Sequence, residues 1–203
     1  KVRVSAYKGD LYSPYTYGYI YTLPSKVTGI TQTVTSSSFT LTWDKNESAD
    51  GYTVQYYADG KWNEKTLTGN NKTTVTIGSL KGYKTYKVRI KAYKGELQST
   101  FDDIYITTAP TKVSGLKVKS AVDSKAVVIW NADANADGYN VGYYIGGKWV
   151  EKAITDNKTA MAKLDGLTPY STYKVRVRAY KGNLYGDYSY TTVTAVLSPV
   201  TDI

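Results

Sequence analysis

The phrase Ala-Tyr-Lys-Gly occurs three times in this sequence and belongs to a longer repeat. The nine-residue stretch that contains it begins at Lys1, Lys87 and Lys174, so the copies are spaced 86 and 87 residues apart. That period is too long for the unit of a solenoid and suits a small domain that folds by itself. The sequence therefore predicts a tandem array of similar domains rather than one continuous core.

The repeat divides the chain into four segments. Two complete units are predicted at residues 24–109 and 110–198. Residues 1–23 match only the end of a unit, so they are expected to be the closing hairpin of a preceding one. Residues 199–203 echo the opening of a unit and are expected to begin a following one or to form a linker.

Apolar and polar residues alternate along most segments, which is typical of half-buried strands. Between Tyr86 and Ala92, for example, every second residue is apolar and the intervening positions carry cations. Clusters of Gly, Asn, Asp and Ser interrupt these runs at intervals of about 8–12 residues, which favours a β-sandwich. The glycine of each Ala-Tyr-Lys-Gly phrase predicts a tight hairpin between the last two strands of a unit.

The composition excludes several kinds of chemistry. The 203 residues include neither cysteine nor histidine, so disulfides and all sites built on a thiol or an imidazole are ruled out. The stretch 131–138 superficially resembles a calcium loop, but Ala136 stands where that pattern needs glycine. The acidic pair Asp102 and Asp103 is not repeated in the second unit. We therefore predict a protein that is not an enzyme and has no catalytic, cofactor-binding or metal-binding residue.

Four linked features are shared by both complete units. Each unit opens with a proline, ends its second strand with a tryptophan, continues with Gly-Tyr-x-Val, and places a leucine six residues before a tyrosine. In this order and spacing, the features resemble the fibronectin type III domain. The lysine- and tyrosine-rich sequence resembles such domains in extracellular or cell-surface proteins of Gram-positive bacteria. The matching pairs are Pro24 and Pro110, Trp43 and Trp130, Gly51 and Gly138, Leu80 and Leu167, and Tyr86 and Tyr173.

The resemblance implies an all-β fold of tandem fibronectin type III, immunoglobulin-like sandwiches, preceded by the F–G hairpin of another unit. Each sandwich would pack an A-B-E sheet against a C-C′-F-G sheet. The tyrosine that follows the leucine would form a tyrosine corner, in which its hydroxyl bonds to nearby backbone. The core residues implied are Trp43, Trp130, Tyr86, Tyr173, Leu80 and Leu167.

Surface aromatic and cationic residues are the candidates for contact with a glycan or a partner. The two later tryptophans either stack on a sugar ring or pack on a neighbouring tyrosine. The cations of strand F either bind an anionic polymer, as the net charge of +9 would allow, or form local cation–π pairs. The candidates are Trp62, Trp149, Tyr57, Tyr144, Lys87, Arg89, Lys91, Lys174, Arg176 and Arg178.

The primary functional prediction is a non-catalytic stalk, spacer or filament-forming segment of a secreted, extracellular or cell-surface repeat protein. The alternative is a carbohydrate- or cell-wall-binding adhesion module of a larger surface protein or glycan-degrading enzyme. Expected partners are neighbouring repeats or copies of the chain itself, including strand pairing through residues 1–23. A polysaccharide or anionic cell-wall polymer is a further expected partner. Nucleic acid and membrane insertion are not expected.

Overall fold

The computed structural model describes residues 1–198, and every regular element within them is a β-strand. The predicted all-β fold class is therefore confirmed. Within this part of the chain, no helix exists that is long and apolar enough to cross a membrane. The segment 199–203, predicted to begin a following unit or to form a linker, lies outside the described residues.

The first 23 residues form two short antiparallel pairs whose side chains are almost all exposed. The outer pair is in register from Val2 opposite Gly18, and the inner pair joins Tyr7 to Tyr12. Arg3 places its guanidinium carbon 4.1 Å from the ring centroid of Tyr15. The strands are β1 (Val2–Val4), β2 (Tyr7–Lys8), β3 (Leu11–Tyr12) and β4 (Thr16–Gly18).

The first complete repeat contains two antiparallel sheets. Its three-stranded sheet has the order β5-β6-β9, and the other has the order β8-β7-β10, with β11 and β12 both paired to β10. These orders match the predicted A-B-E and C′-C-F-G sheets, with strand G broken into two pieces. The strands are β5 (Thr31–Val34), β6 (Phe39–Thr42), β7 (Gly51–Ala58), β8 (Lys61–Thr68), β9 (Thr74–Ile77), β10 (Thr85–Lys94), β11 (Leu97–Gln98) and β12 (Asp102–Thr107).

The second repeat has the same strand orders, β13-β14-β17 and β16-β15-β18, with β19 and β20 paired to β18. Strand G is again divided, which shows that the break is a regular feature of the repeat. The strands are β13 (Lys117–Val122), β14 (Lys125–Ile129), β15 (Gly138–Ile145), β16 (Lys148–Ile154), β17 (Met161–Asp165), β18 (Thr172–Lys181), β19 (Leu184–Tyr185) and β20 (Ser189–Thr194).

Alternation along the strands builds the core of the second repeat. On β18, Val175, Val177 and Ala179 are completely buried, while the residues between them are not. They belong to one cluster with buried residues of the other sheet, such as Val128 and Leu164. Because burying one such aliphatic side chain stabilises a protein by about 1.5–3 kcal/mol, this cluster supplies the main driving force for folding the repeat.

The chain divides into two compact units whose border does not follow the repeat. One unit holds the partial hairpin and most of the β8-β7-β10 sheet, and the other holds the β5-β6-β9 sheet together with the second repeat. The end of the first repeat and the start of the second therefore lie within one unit. The first unit comprises 1–30, 43–73 and 88–104, and the second comprises 31–42, 74–87 and 105 onward.

The three Ala-Tyr-Lys-Gly phrases end in hairpin turns. Gly9, Gly95 and Gly182 have φ angles of 57°, 54° and 55°, which residues other than glycine rarely adopt. In the complete repeats the turn amide donates a hydrogen bond to an aspartate, Gly95 to Asp50 and Gly182 to Asp137, each at 2.8 Å. The recurring phrase is thus a structural turn in each repeat.

Candidate functional site

The outward face of the sheet built on strand F collects the predicted contact residues. Along β10 and β18 every second side chain is buried, so the cations between them point away from the core. Arg89 lies opposite Gln55 of β7, and Arg176 lies opposite Gly142 of β15. In each repeat the tryptophan strand, β8 or β16, therefore lies on one side of the arginine strand, and the last strand, β12 or β20, lies on the other.

In the second repeat, cations and aromatic rings alternate across this face. The Arg176 guanidinium carbon lies 3.9 Å from the ring centroid of Trp149 and 4.2 Å from that of Tyr188. Arg178 lies 4.5 Å from Tyr188 and 4.2 Å from Tyr185. Each guanidinium is thus held between two rings, and each contact is worth about 0.5–1 kcal/mol at an exposed site. These five residues form what we call the second-repeat ladder.

The first repeat builds a shorter row, the first-repeat ladder, from Trp62, Arg89, Phe101 and Lys91. Arg89 lies 4.1 Å from the ring centroid of Trp62 and 4.3 Å from that of Phe101. The Lys91 ammonium lies 4.5 Å from Phe101 and donates a hydrogen bond to Gln98, which occupies the position of Tyr185. This ladder therefore ends in a hydrogen bond where the other ends in a ring.

The two ladders satisfy their central arginine differently. Arg176 donates hydrogen bonds directly to the carboxylate of Glu151 and forms an ion pair with it. Burial lowers the pKa of the Arg176 guanidinium, but the hydrogen bond and the charge of Glu151 outweigh that effect and raise the pKa. Arg89 instead donates to the Gln55 amide oxygen at 2.7 Å, and Gln55 donates to Glu64 at 2.6 Å.

Gly142 makes the direct contact in the second repeat possible. A Cβ atom at this position would lie 2.7 Å from Oε1 of Glu151, closer than real Cβ atoms approach such an atom. The absence of a side chain therefore leaves the space that the Glu151 carboxylate occupies on its way to Arg176. In the first repeat the Gln55 side chain fills the same space and forms hydrogen bonds with both Arg89 and Glu64.

The two outward tryptophans have one aromatic neighbour each. The ring centroids of Trp62 and Tyr57 are 5.5 Å apart at an interplanar angle of 71°, and those of Trp149 and Tyr144 are 5.5 Å apart at 66°. Trp62 keeps 37% of its surface exposed. Packing on a neighbouring tyrosine is thus observed for both tryptophans, and stacking on a sugar ring stays a prediction. Among the remaining candidates, Lys174 is exposed and Lys87 is half-buried.

The tryptophans that end the second strand lie in the interior. Trp43 is 3% exposed and meets Tyr52 edge-on at 5.2 Å, and Trp130 is 5% exposed and meets Tyr139 at the same distance. Both tyrosine hydroxyls also bridge two loops. The Tyr139 hydroxyl, for example, accepts from the Asp133 amide at 2.6 Å and donates to the Asn157 carbonyl at 3.1 Å. Each tryptophan–tyrosine pair therefore joins the core to the loops at one end of the repeat.

A tyrosine corner is present in both repeats. The hydroxyl of Tyr86 accepts a hydrogen bond from the Lys81 amide at 2.8 Å, and that of Tyr173 accepts one from the Thr168 amide at 2.7 Å. Hydrogen bonding from Thr168 lowers the pKa of Tyr173. The leucines of the pattern differ in burial, since Leu167 is 3% exposed and Leu80 is half-buried.

Tyr83 and Asp133 form a contact that spans the repeat boundary within the second compact unit. The Tyr83 hydroxyl donates to Oδ2 of Asp133 at 2.6 Å, and the Thr111 hydroxyl donates to the same oxygen at 3.4 Å. Burial, followed by the hydrogen bond and charge of Asp133, raises the pKa of Tyr83 above its ordinary value of 10.0. Tyr83 has a φ of 59°, and its counterpart Tyr170 has 63° but is 72% exposed.

Acidic residues are dispersed rather than clustered. In residues 1–198, no group of three or more Asp and Glu side chains is arranged to hold a metal ion. Asp102 of the one adjacent acidic pair forms an ion pair with Lys26 at 2.6 Å. The acidic side chain of Asp102 therefore takes part in a structural contact of the first repeat.

Sequence reasoning did not identify the residues that complete the ladders or the boundary contact. The acid that pairs with strand F recurs at the repeat spacing, as Glu64 and Glu151, and this regularity was an available signal. An aromatic residue also recurs at this spacing, as Phe101 and Tyr188, but both lie in the break of strand G, where alternation does not show which face they occupy. Nothing near Tyr83 in the sequence indicates a partner fifty residues away.

The "Fibronectin type III domain" family profile matches residues 24–107 and 108–195. Together the two matches cover most of the chain and agree with the two sandwiches. The tandem arrangement and the fold implied by the resemblance are thereby confirmed.

Three relatives of this chain among known proteins come from animals. Tenascin-N of Homo sapiens is 29% identical over 160 residues, which are 76% of this chain and 12% of that protein. Tenascin of Gallus gallus is 31% identical over 152 residues, 73% and 8% respectively. Receptor-type tyrosine-protein phosphatase H of Homo sapiens is 27% identical over 184 residues, 85% and 16%. The chain thus spans about a tenth of the length of such relatives, and the expected likeness to Gram-positive bacterial proteins is not supported.

A solved structure titled as a two fibronectin type III domain segment from chicken tenascin is also similar. It has a TM-score of 0.48 and 21% sequence identity, and the match covers 84% of this chain and 99% of that one.

Proposed function

The chain belongs to the fibronectin type III family, and we propose that it is a non-catalytic structural segment of an extracellular protein. In that protein it acts as a spacer that keeps neighbouring domains in a defined arrangement. The observation that carries the proposal is the Tyr83–Asp133 hydrogen bond, which ties the end of one repeat to the start of the next. A spacer needs such joints because free linkers would let the domains move independently.

The segment between the repeats is itself held by hydrogen bonds. The Thr108 side chain is buried and donates to the Lys81 carbonyl at 2.6 Å, and the Ala109 amide donates to the Thr35 carbonyl at 2.9 Å. At Gly82 a Cβ atom would lie 2.7 Å from the Thr111 methyl carbon. The loop before β10 and the linker thus approach too closely for a larger side chain, which favours a stiff joint.

The outward arginines also favour a structural role. Arg89, Arg176 and Arg178 are each engaged by two aromatic rings, and Arg176 is paired with a carboxylate as well. Arginines whose guanidinium groups are covered by rings of their own domain contribute little to binding an anionic polymer. These side chains therefore stabilise the sheet face of each repeat.

The proposal includes a location and a set of partners. Membership of the fibronectin type III family favours a non-catalytic module. A receptor-type protein is among the relatives, which favours an extracellular or cell-surface location. Residues 1–23 expose Tyr7, Tyr12 and Ile20, which suit them to pair with a neighbouring repeat or another copy of the chain in a filament. Nucleic acid and membrane insertion have no place in this proposal.

Spin-label distance measurement tests the spacer directly. The chain has no cysteine, so Gln32→Cys and Lys163→Cys give two unique labelling sites, both exposed and both in the second compact unit. We expect a single narrow distance distribution in the parent. Combining Tyr83→Phe with Asp133→Ala should broaden it, whereas Tyr170→Phe, the matched control, should not. A broad distribution in the parent would overturn the proposal.

A further inference from the structure

A groove lies on the outward face of the second repeat, at one end of its ladder. It is lined by Trp149, Lys174, Tyr190, Thr191 and Thr192 and has a volume of about 580 Å³. That size falls within the range of about 300–1,000 Å³ that is usual for ligand sites. The groove is open to solvent and combines two aromatic rings, one cation and the exposed hydroxyl group of Thr192, which lies opposite Lys174.

Lys174 is the cation on this face that stays available. It is exposed, and within residues 1–198 it forms no ion pair or cation–π contact. Its neighbours on strand F, Arg176 and Arg178, are both held between rings. A free ammonium beside aromatic surface is a site for an anionic group that is attached to an apolar body.

The rings beside Lys174 are only partly used by the protein. Tyr190 is 62% exposed, and its one ring neighbour among the described residues, Tyr188, lies at 6.1 Å and a tilted angle of 51°. Trp149 meets Tyr144 edge-on, at 66°, and carries the Arg176 guanidinium 3.9 Å from its ring centroid, so the rest of the indole borders the groove. Aromatic faces of this kind pack against the C–H faces of sugar rings, and threonine hydroxyls bond to sugar hydroxyls.

We propose that this groove binds a uronate residue of a polysaccharide. The carboxylate pairs with the Lys174 ammonium, the sugar ring packs on Trp149 and Tyr190, and the Thr192 hydroxyl bonds to one of its hydroxyl groups. This goes beyond the spacer function and does not depend on it, because the site lies entirely within one repeat. An acidic peptide would meet the same cation but would gain less from the two rings.

The first repeat carries a different set of residues at the same positions. Asp103 stands where Tyr190 stands in the second repeat, and Tyr105 stands where Thr192 stands. A carboxylate at that place repels an anionic ligand and removes one of the two rings. We therefore expect binding by the second repeat alone.

Affinity electrophoresis of the full chain tests the site with three carboxylated polymers: polygalacturonate, alginate and hyaluronan. At least one should retard the chain, and its methyl-esterified form, which lacks the charge, should weaken retardation at least tenfold. Trp149→Ala and Tyr190→Asp should each abolish most of the retardation. Polyglutamate should retard the chain much less than the best polysaccharide does.

Matched substitutions in the first repeat provide the controls. Trp62→Ala and Tyr105→Asp make the same chemical changes on exposed aromatic residues and should leave retardation unchanged. Circular dichroism verifies that each variant is folded. If Trp149→Ala disturbs the sheet, Tyr190→Asp still tests the site, because it changes only an exposed side chain. Four results would overturn the proposal: no retardation by any of the three polymers, equal retardation by esterified polymer, equal retardation by polyglutamate, or equal losses in the two repeats. None of these results bears on the spin-label test of the spacer.

Discussion

The two repeats share a ladder of cations and rings but arrange its charges differently. In the first repeat, Arg89 reaches Glu64 only through Gln55, whereas in the second, Arg176 meets Glu151 directly above Gly142. The difference arises from a single position on strand C, because the flanking tryptophan, arginine and glutamate occur in both. The stacked tryptophan and arginine and the glutamate are therefore common to both repeats, and the route from the arginine to the carboxylate is the variable part.

The largest expected effect concerns what the repeats have in common. Trp43→Ala and Trp130→Ala each remove a buried indole that meets a tyrosine at 5.2 Å, and each should cost about 3–5 kcal/mol in the free energy of unfolding. Urea denaturation followed by fluorescence measures the loss. Losses that differ by more than 2 kcal/mol between the variants would show that the two cores are not equivalent.

A second comparison uses two tyrosines with the same backbone conformation. Tyr83→Phe removes a hydrogen bond to a carboxylate and should cost about 1.5–3 kcal/mol. Tyr170→Phe changes an exposed side chain and should stay within about 0.5 kcal/mol. Thermal denaturation of both variants gives the difference. Equal effects would mean that the boundary contact does not stabilise the chain.

The same contact predicts a pH dependence. The pKa of Tyr83 is raised in the folded chain, so folding favours the protonated phenol. Its contribution to stability is complete below the ordinary tyrosine pKa of 10.0 and declines as the pH rises above that value. The stability difference between the parent and Tyr83→Phe, measured by urea denaturation, should therefore shrink above pH 10 and stay constant between pH 6 and 9.

The tyrosine corners should respond alike and more weakly. Tyr86→Phe and Tyr173→Phe each remove an acceptor for one backbone amide, at 2.8 Å and 2.7 Å. A neutral hydrogen bond of this kind contributes about 0.5–1.5 kcal/mol. Hydrogen exchange of the Lys81 and Thr168 amides provides the local readout, and both amides should exchange faster in their own variant. Unchanged exchange in either repeat would contradict the equivalence of the corners.

The smallest effect addresses the variable part of the face. Gly142→Gln should displace Glu151 from Arg176, and because exposed ion pairs contribute little, the cost should be about 0–1 kcal/mol. Gln55→Gly is the reciprocal variant and should let Glu64 approach Arg89. The ¹⁵Nε chemical shifts of the two arginines report these changes. If neither shift moves, the strand C residue does not control the charge pairing.

The fold was largely predictable because the same pattern of residues occurs in both complete repeats. Alternation between Tyr86 and Ala92 identified strand F, and its repetition after Tyr173 fixed the period and the family. The core tryptophans followed from their place in that pattern. Burial in a sandwich depends mainly on which residues share a strand face, and that information is local.

Local cation–π pairing of the strand F cations was one of the two predicted alternatives. The strand G rings that complete the ladders and the boundary contact could not be predicted, because they depend on register and on distant loops. Tyr188 lies between the two pieces of strand G, where alternation along the chain gives no face. The contact of Tyr83 with Asp133 requires a loop residue at positive φ and a linker of a particular geometry. The role of Gly142 is visible only once the path of Glu151 is known.

The glycines of the Lys-Gly turns face open space. A Cβ atom at Gly9, Gly95 or Gly182 would meet no other atom within 4 Å. In the complete repeats one aspartate holds the turn, because it accepts a hydrogen bond from the glycine amide and forms an ion pair with the lysine before it. Since lengthening an unpacked loop costs little free energy, each repeat carries a position where foreign peptides can be grafted. The array can therefore serve as a display scaffold that presents one exchangeable loop per domain.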